Sequence, residues 1–420
     1  MEAVFNMEVL FNFVFLYPLF MSYVWMIGTL LFHTFRSGKE EPHAFETPMP
    51  KASILIPCHN EQGCIRESIE FLMKQDYPDF EIIAIDDGST DDTLKILSEL
   101  QKKHNCLRVV SLKSNQGKGT ALTMGALASQ SEYLVCIDAD ALLDPQAVRH
   151  FVWHFKNSPR VGAITGNPRV RNRSTILGKI QVGEFSAVVN MIKAAQRIVG
   201  KIYTVSGVIA AFRKEALLSV GFWSDNMITE DVDISWKLQL KFWDIRYEHR
   251  ALCWILMPET LQGVFRQRVR WAQGGNEVLL KYSKFLFDWR QRRIWPIYIE
   301  AMLGLLWTYC FGITAVLWIL HFFIELPPSL VVRALFPPGW TGCFLALTCM
   351  LQFAIGLWVN RSFEKETLRL FFWLIWYPFL YWVINAVASM IGFPKALFKK
   401  RGALAVWESP DRGVQVCVEK

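Results

Sequence analysis

The sequence predicts an α/β domain, a doubly wound and mostly parallel sheet, carried between α-helical transmembrane segments. Three observations predict it. Short runs of β-branched and aromatic residues alternate with helical stretches between positions 50 and 295. Three of those runs end in polar clusters, at the edge where a sheet of this kind holds its ligand. Four long stretches carry no Asp, Glu, Lys or Arg, each with about the 20 residues a helix needs to cross hydrocarbon. Hydrophobic residues make up 52% of the chain and mean hydropathy is +0.22, high for a chain without membrane segments.

The first uncharged stretch, Val9–Phe32, is too long for a removable signal peptide and lacks its basic start and small-residue cleavage site. Segment 1–36 is therefore expected to be a membrane helix. Arg36 and Lys39 follow it, and Lys281, Lys284, Arg290, Arg292 and Arg293 precede the second stretch. Basic flanks of this kind face the cytoplasm, which places the N-terminus outside and residues 37–295 inside. The net charge of +7 is thus concentrated at membrane ends, which argues against a nucleic-acid partner. The remaining stretches, Ala301–Ile324, Gly339–Val359 and Leu370–Phe393, make 296–394 a region of three membrane segments. Three crossings would put the tail, 395–420, outside. Yet that tail opens with Lys395, Lys399, Lys400 and Arg401, so either one C-terminal segment does not fully cross or the charge rule fails here. Nine cysteines are scattered without a CxxC pair or zinc spacing, and Cys58, Cys106 and Cys136 read as buried reduced thiols.

In the domain at 37–263 the expected strands are ASILIP (52–57), EIIAID (81–86), LRVVSL (107–112) and EYLVCID (132–138), with helices over Asp91–Lys103 and Gly117–Ser129. DDGSTDD (86–92) reads as a strand-to-helix turn with capping residues, and Asp86 and Asp87 stand where a bound nucleotide would lie. In DAD (138–140), alternation puts Asp138 and Asp140 on one side of an extended chain. Two adjacent carboxylates repel unless a cation joins them, and a hard divalent ion such as Mg²⁺ takes one or two carboxylates and completes its shell with phosphate oxygens and water. NQGKGTAL (115–122) fails as a P-loop because Leu112 stands where a glycine is required. Its glycine-lysine turn still offers either free amides for phosphate or a plain helix start. ITEDVDISW (228–236) sets Glu230, Asp231 and Asp233 in a first helical turn beside an apolar wall, where desolvation raises a carboxyl toward general-base range. FRQRVRWAQGG (265–275) opens an amphipathic region at 264–295. As a helix it puts Gln267, Arg270 and Trp271 on one face. Arg268 points elsewhere and is expected to act, with 290–293, as the basic flank.

PCHNE, DDGS, DAD, TED and QRVRW, in this order, resemble the processive family 2 glycosyltransferases, which include cellulose, hyaluronan and chitin synthases. TGNPRVRNRSTILGKIQVGEF (165–185), TVSGVIAAFR (204–213), MITEDVDISWKLQL (227–240) and ALCWILMPETL (251–261) look in particular like the bacterial poly-β-1,6-N-acetyl-D-glucosamine synthases of biofilm formation. The resemblance implies a GT-A fold and a multi-pass protein of the bacterial inner membrane. It implies polymerisation of N-acetylglucosamine from UDP-N-acetylglucosamine and passage of the growing polysaccharide through the bilayer. Glu61 and Asp87 would contact uridine, and Lys118, Gln267 and Arg270 would bind the nucleotide sugar. Asp138 would bridge nucleotide and metal, and Asp140 would hold Mg²⁺ (or Mn²⁺). Asp231, with Glu230, would supply the base, and Ser206, Gly207 and Trp271 would contact the acceptor. A small membrane partner subunit and control by cyclic di-GMP belong to the same implication, although the chain shows no self-contained nucleotide-sensing domain. One span precedes the domain where some relatives have two. A synthase of another β-linked polysaccharide, and a scaffold or transporter with an inactive domain, are the competing readings.

Overall fold

A computed structural model describes residues 7–37, 49–332, 340–400 and 402. Lys39, Arg401 and the tail from 403 lie outside the described residues. Helix α1 (Met7–Leu31) leads to the domain. The expected runs form β1 (Ala52–Cys58), β2 (Phe80–Asp87), β3 (Leu107–Leu112) and β4 (Tyr133–Ile137). Helices α2 (Ile65–Leu72), α3 (Thr93–Lys103) and α4 (Lys118–Ala128) connect them, and α5 (Ala147–Lys156) follows a short β5 (Leu142–Leu143).

These strands are nearly all apolar because both faces of the sheet are covered. Ile54, Ile56, Ile82 and Ala84 face one core with Phe151 and Phe155 of α5, while Leu55, Ile83 and Ile85 face the other with Ala121 and Leu122 of α4. The full sheet runs β3-β2-β1-β4-β7-β6-β8-β5, with β6 (Val161–Val170), β7 (Ile209–Arg213) and β8 (Asp244–Ile255) added to the expected set. The half from β3 to β4 is parallel, as is the β6–β8 pair; β7 runs antiparallel between β4 and β6, and β5 is antiparallel to β8. The parallel register puts the C-terminal ends of β1, β2 and β4 on one edge.

Beyond the sheet come α6 (Ile176–Glu184) and α7 (Asn190–Val199), joined by a π-turn at Phe185–Val189, then α8 (Lys214–Val220), α9 (Glu230–Leu240) and α10 (Leu261–Tyr282). The apolar C-terminal stretches form α11 (Trp295–Leu320), α12 (Trp340–Asn360) and α13 (Tyr377–Leu397). Segments Met7–Ser37, Trp289–Leu320, Thr341–Asn360 and Leu368–Leu397 are long and apolar enough to cross a membrane.

The last expected span, Leu370–Phe393, is not one helix: its first part belongs to a 3-10 segment, Lys365–Trp376, packed on α6. The α13 helix then runs along α10. Arg268 of α10 sits over the Tyr381 ring at 5.9 Å, and a Cβ at Gly392 would come within 2.7 Å of Ala272. Beyond the helix, Lys399 Nζ donates to the Asn226 carbonyl at 2.7 Å and pairs with Glu277 of α10 at 2.9 Å. Arg268 is not a basic flank. It is buried and pairs with Glu184 at 2.6 Å, because the α6–α10–α13 junction surrounds it.

Candidate active site

The polar clusters after β1 and β2 are tied to each other. Asn60 has φ 57° and accepts from the Thr90 amide at 2.8 Å, while its own amide donates to Ser89 Oγ at 3.0 Å. Gly88 has φ 64°, and a Cβ there would lie 2.5 Å from the Ser114 backbone, so this turn requires glycine. Glu61 and Asp87 are fully buried in this knot, outside the wall of the cavity described next. The Asp87 carboxylate accepts from the Gln116 and Gly117 amides, both at 2.8 Å. Burial still pushes its pKa up. The turn amides considered for phosphate are thus bound to the protein's own carboxylate. Asp86 differs: its Oδ1 is buried with no hydrogen-bond partner among the described residues.

The other expected residues converge. Lys118, Asp138, Asp140, Ser206, Gly207, Glu230, Asp231, Gln267, Arg270 and Trp271 all line one cavity of about 610 Å³. They arrive on several separate supports. Asp138 and Asp140 leave the end of β4, and Lys118 opens α4 after Gly117, whose φ is 90°. Glu230 and Asp231 form the first turn of α9, and Gln267, Arg270 and Trp271 share one face of α10. Ala301, Gly304 and Thr308 of α11 and Ser389 of α13 continue the wall into the apolar helices.

Lys118 is the electrostatic centre. Its ammonium lies 2.6 Å from Asp138, 3.2 Å from Glu230 and 3.0 Å from the Gly207 carbonyl. Burial opposes its charge, but Asp138 and Glu230 outweigh burial and hold its pKa above the usual lysine range. Asp231 accepts from the Gly207 amide at 3.1 Å and the Val232 amide at 2.9 Å. Burial, reinforced by Glu230, pushes its pKa up to about 6 against the pull of Lys118 and Arg270. Gly274 lets α10 approach: a Cβ there would come within 2.3 Å of Thr229 Oγ1, beside Glu230.

Sequence reading missed Lys193 of α7, which also lines the cavity. It donates to Thr165 Oγ1 at 3.1 Å, and the same oxygen accepts from the Ser206 amide at 2.9 Å. Burial pulls its pKa down to about 7, with Asp231 pulling the other way. A lone lysine on an amphipathic helix, without a motif around it, gives no sequence signal.

Residues 53–221 match the family described as glycosyl transferase family 2. The chain is 39% identical over 418 residues to a poly-beta-1,6-N-acetyl-D-glucosamine synthase of Staphylococcus epidermidis, covering 96% of this chain and 98% of that one. It is 38% identical over 414 residues to the protein of that name in Staphylococcus aureus strain MSSA476, with the same coverage. Among solved structures it resembles the mannosyltransferase PcManGT from Pyrobaculum calidifontis in complex with GDP-Man and Mn²⁺. That match has a TM-score of 0.61 at 19% identity, over 91% of this chain and 98% of the other, and it supports the GT-A fold.

Proposed function

This chain belongs to glycosyl transferase family 2, with the poly-β-1,6-N-acetyl-D-glucosamine synthases, and from that premise we propose that it polymerises N-acetylglucosamine from UDP-N-acetylglucosamine at the cavity between β4, α9 and α10. The observation that carries this reading is the convergence of Lys118, Asp138, Asp140, Asp231, Arg270 and Trp271 on that one cavity. Transfer from a UDP-sugar needs a base for the acceptor hydroxyl, neutralisation of the leaving diphosphate, and a surface that holds the acceptor.

Asp231 is the base. Two backbone amides fix its carboxylate, and a pKa near 6 leaves it ionised at neutral pH yet able to take a proton. One base and direct displacement convert an α-linked donor into a β-linked product, so no second carboxylate nucleophile is required. Lys118 keeps Asp138 and Glu230 from repelling each other, and Arg270 and Gln267 face the diphosphate. The orphan Oδ1 of buried Asp86 suits a nucleoside donor group better than Asp87, whose oxygens already accept two amides.

The donor set also fits a divalent cation. Asp138 and Asp140 give hard oxygen ligands on the wall, and among the described residues no three acidic, His or Cys side chains form a cage by themselves. The ion that suits such a pair is Mg²⁺ or Mn²⁺, which completes its shell with phosphate oxygens and, when bound, neutralises the leaving diphosphate.

Product leaves toward α11, along which a second cavity of about 210 Å³ lies, lined by Phe15, Trp307, Phe311 and Trp382. The path of α13 supports one resolution of the charge conflict after it. Tyr377 near its start contacts Glu184 at 3.5 Å, and Lys399 beyond its end contacts Glu277, so both ends rest on helices of the catalytic side. In this reading α1, α11 and α12 cross the membrane, α13 is embedded without crossing, and Lys399 stays on the catalytic side.

The test is incubation of membranes with labelled UDP-N-acetylglucosamine and Mg²⁺, with any neighbouring small membrane subunit coexpressed. The expected outcome is a β-1,6-linked polymer that Asp231→Asn abolishes. Undiminished polymer from that variant rejects the mechanism.

A further inference from the structure

Away from the catalytic cavity, four cations gather around one carboxylate. Arg160 precedes β6, Lys201 follows α7, and Arg290 and Arg293 lie in the turn that enters α11; together with Asp244 they line a shallow recess. Lys201 is the unusual member. The residue is only 8% exposed, and the charges that act on it are those of Asp244, Arg293 and Arg160 around the recess. Burial lowers its pKa, Asp244 opposes that, and Arg293 and Arg160 add to it. Four cations around one carboxylate leave the recess with a net positive charge that an anion would balance.

The surroundings identify the anion's source. Phe287, 93% exposed, and Trp289, 67% exposed, come just before Arg290 and Arg293 in the chain, ahead of the apolar helix α11. Exposed aromatic and basic residues at that position mark the bilayer interface. The recess also grips the end of the catalytic helix. Gln291 donates to the Leu240 carbonyl at 3.1 Å, and Gln239 exchanges hydrogen bonds with the Ile202 backbone at 3.1 and 2.8 Å. Helix α9 thus has Asp231 at one end and this recess at the other, and the segment from Lys201 runs directly into the cavity wall at Tyr203.

We propose that the recess binds the phosphate of an anionic lipid headgroup in the leaflet against which the catalytic domain rests, and that occupancy braces the C-terminal end of α9. Arg and Lys groups converging on one point suit a phosphate oxygen cluster. The proposal rests on reading α11 as a membrane span, and the experiment separates the two.

The full chain in detergent would be titrated with phosphatidylglycerol and with phosphatidylcholine, and bound lipid counted by native mass spectrometry. The expected result is at least a tenfold preference for phosphatidylglycerol, lost in Arg290→Gln/Arg293→Gln, where both side chains are exposed, and in Lys201→Gln. In bilayers containing phosphatidylglycerol, the same variants should turn over several-fold more slowly than the unaltered chain, with no difference in pure phosphatidylcholine. Equal binding of the two lipids, or a preference that survives both variants, overturns the site. Displacement of phosphatidylglycerol by equimolar inorganic phosphate or glycerol phosphate overturns the lipid source. Binding lost without a change in turnover overturns the bracing of α9. Failure to retain either lipid in any variant overturns the membrane reading itself.

Discussion

Asp231 and Asp233 stand two residues apart in the first turn of α9, in the same acidic run, and both are withdrawn from bulk water. Asp233 is fully buried and its oxygens are occupied. Lys281 at 2.6 Å and Tyr282 at 2.9 Å hold Oδ1, and Ser224 at 2.7 Å holds Oδ2. Asp231 has two backbone amides, and its carboxylate opens on the cavity. The difference shows that withdrawal from water does not by itself make a base. A carboxylate bound to a lysine and two hydroxyls is a structural clamp, here fastening α9 to α10. One raised by burial and a neighbouring acid, and fixed only by amides, keeps a proton-accepting role.

Exchanging each for asparagine is the strongest way to break the contrast. Asp231→Asn should cost about 10³-fold in kcat, within the usual range for a lost general base, with no loss of thermal stability. Asp233→Asn should act the other way. It weakens the acceptor that holds Lys281, Tyr282 and Ser224 and should destabilise the domain by about 1–3 kcal/mol, the cost of leaving buried polar partners unsatisfied. Thermal unfolding in detergent together with single-turnover rates separates them, and equal stability losses in both would dissolve the distinction. Next in size is Trp271→Ala on α10. It should abolish elongation while UDP binding, measured by calorimetry, stays nearly intact; if UDP binding collapses with it, Trp271 is no sugar platform. Smaller again is Gly274→Ala. Its Cβ would press on Thr229, so it should shift the turn carrying Asp231 and cost about 1–3 kcal/mol of stability, with slower transfer by the folded fraction.

The sequence made the two aspartates look alike because what separates them is distant in the chain. Lys281 and Tyr282 lie nearly fifty residues on, and no local pattern links them to Asp233. The same reason governs the other differences. The four parallel strands were legible because strands covered on both faces are continuous apolar runs. By contrast, β8 carries Glu248 and Arg250, which hide its strand character; they are accommodated because Glu248 pairs with Arg250 at 2.8 Å and His154 at 2.9 Å. Gln267, Arg270 and Trp271 were legible as a face because helical spacing is local. Arg268, one position along, was misjudged as a flank because its partner Glu184 comes from α6. The apolar character of α13 was plain in the sequence, but its path along α10 is set by Gly392 and Lys399, each meeting residues more than a hundred positions away.

The finest contrast between the two aspartates is their response to pH. Because Asp231 is pushed up to about 6, kcat/KM should rise as pH increases through about 6, where the base loses its proton, and level off above it. Glu230 contributes part of that rise by like-charge repulsion, and it also holds Lys118 at 3.2 Å. Replacing it by glutamine removes the repulsion and frees Lys118 to favour the ionised form of Asp231, so both effects lower its pKa. The acid limb of Glu230→Gln should therefore lie at lower pH than that of the unaltered chain, and the variant should retain proportionally more activity at pH 5.5 than at pH 7.5. Asp233→Asn should leave the limb of its folded fraction in place. A limb that does not move in Glu230→Gln, or that moves in Asp233→Asn, would assign the titration to a group other than Asp231.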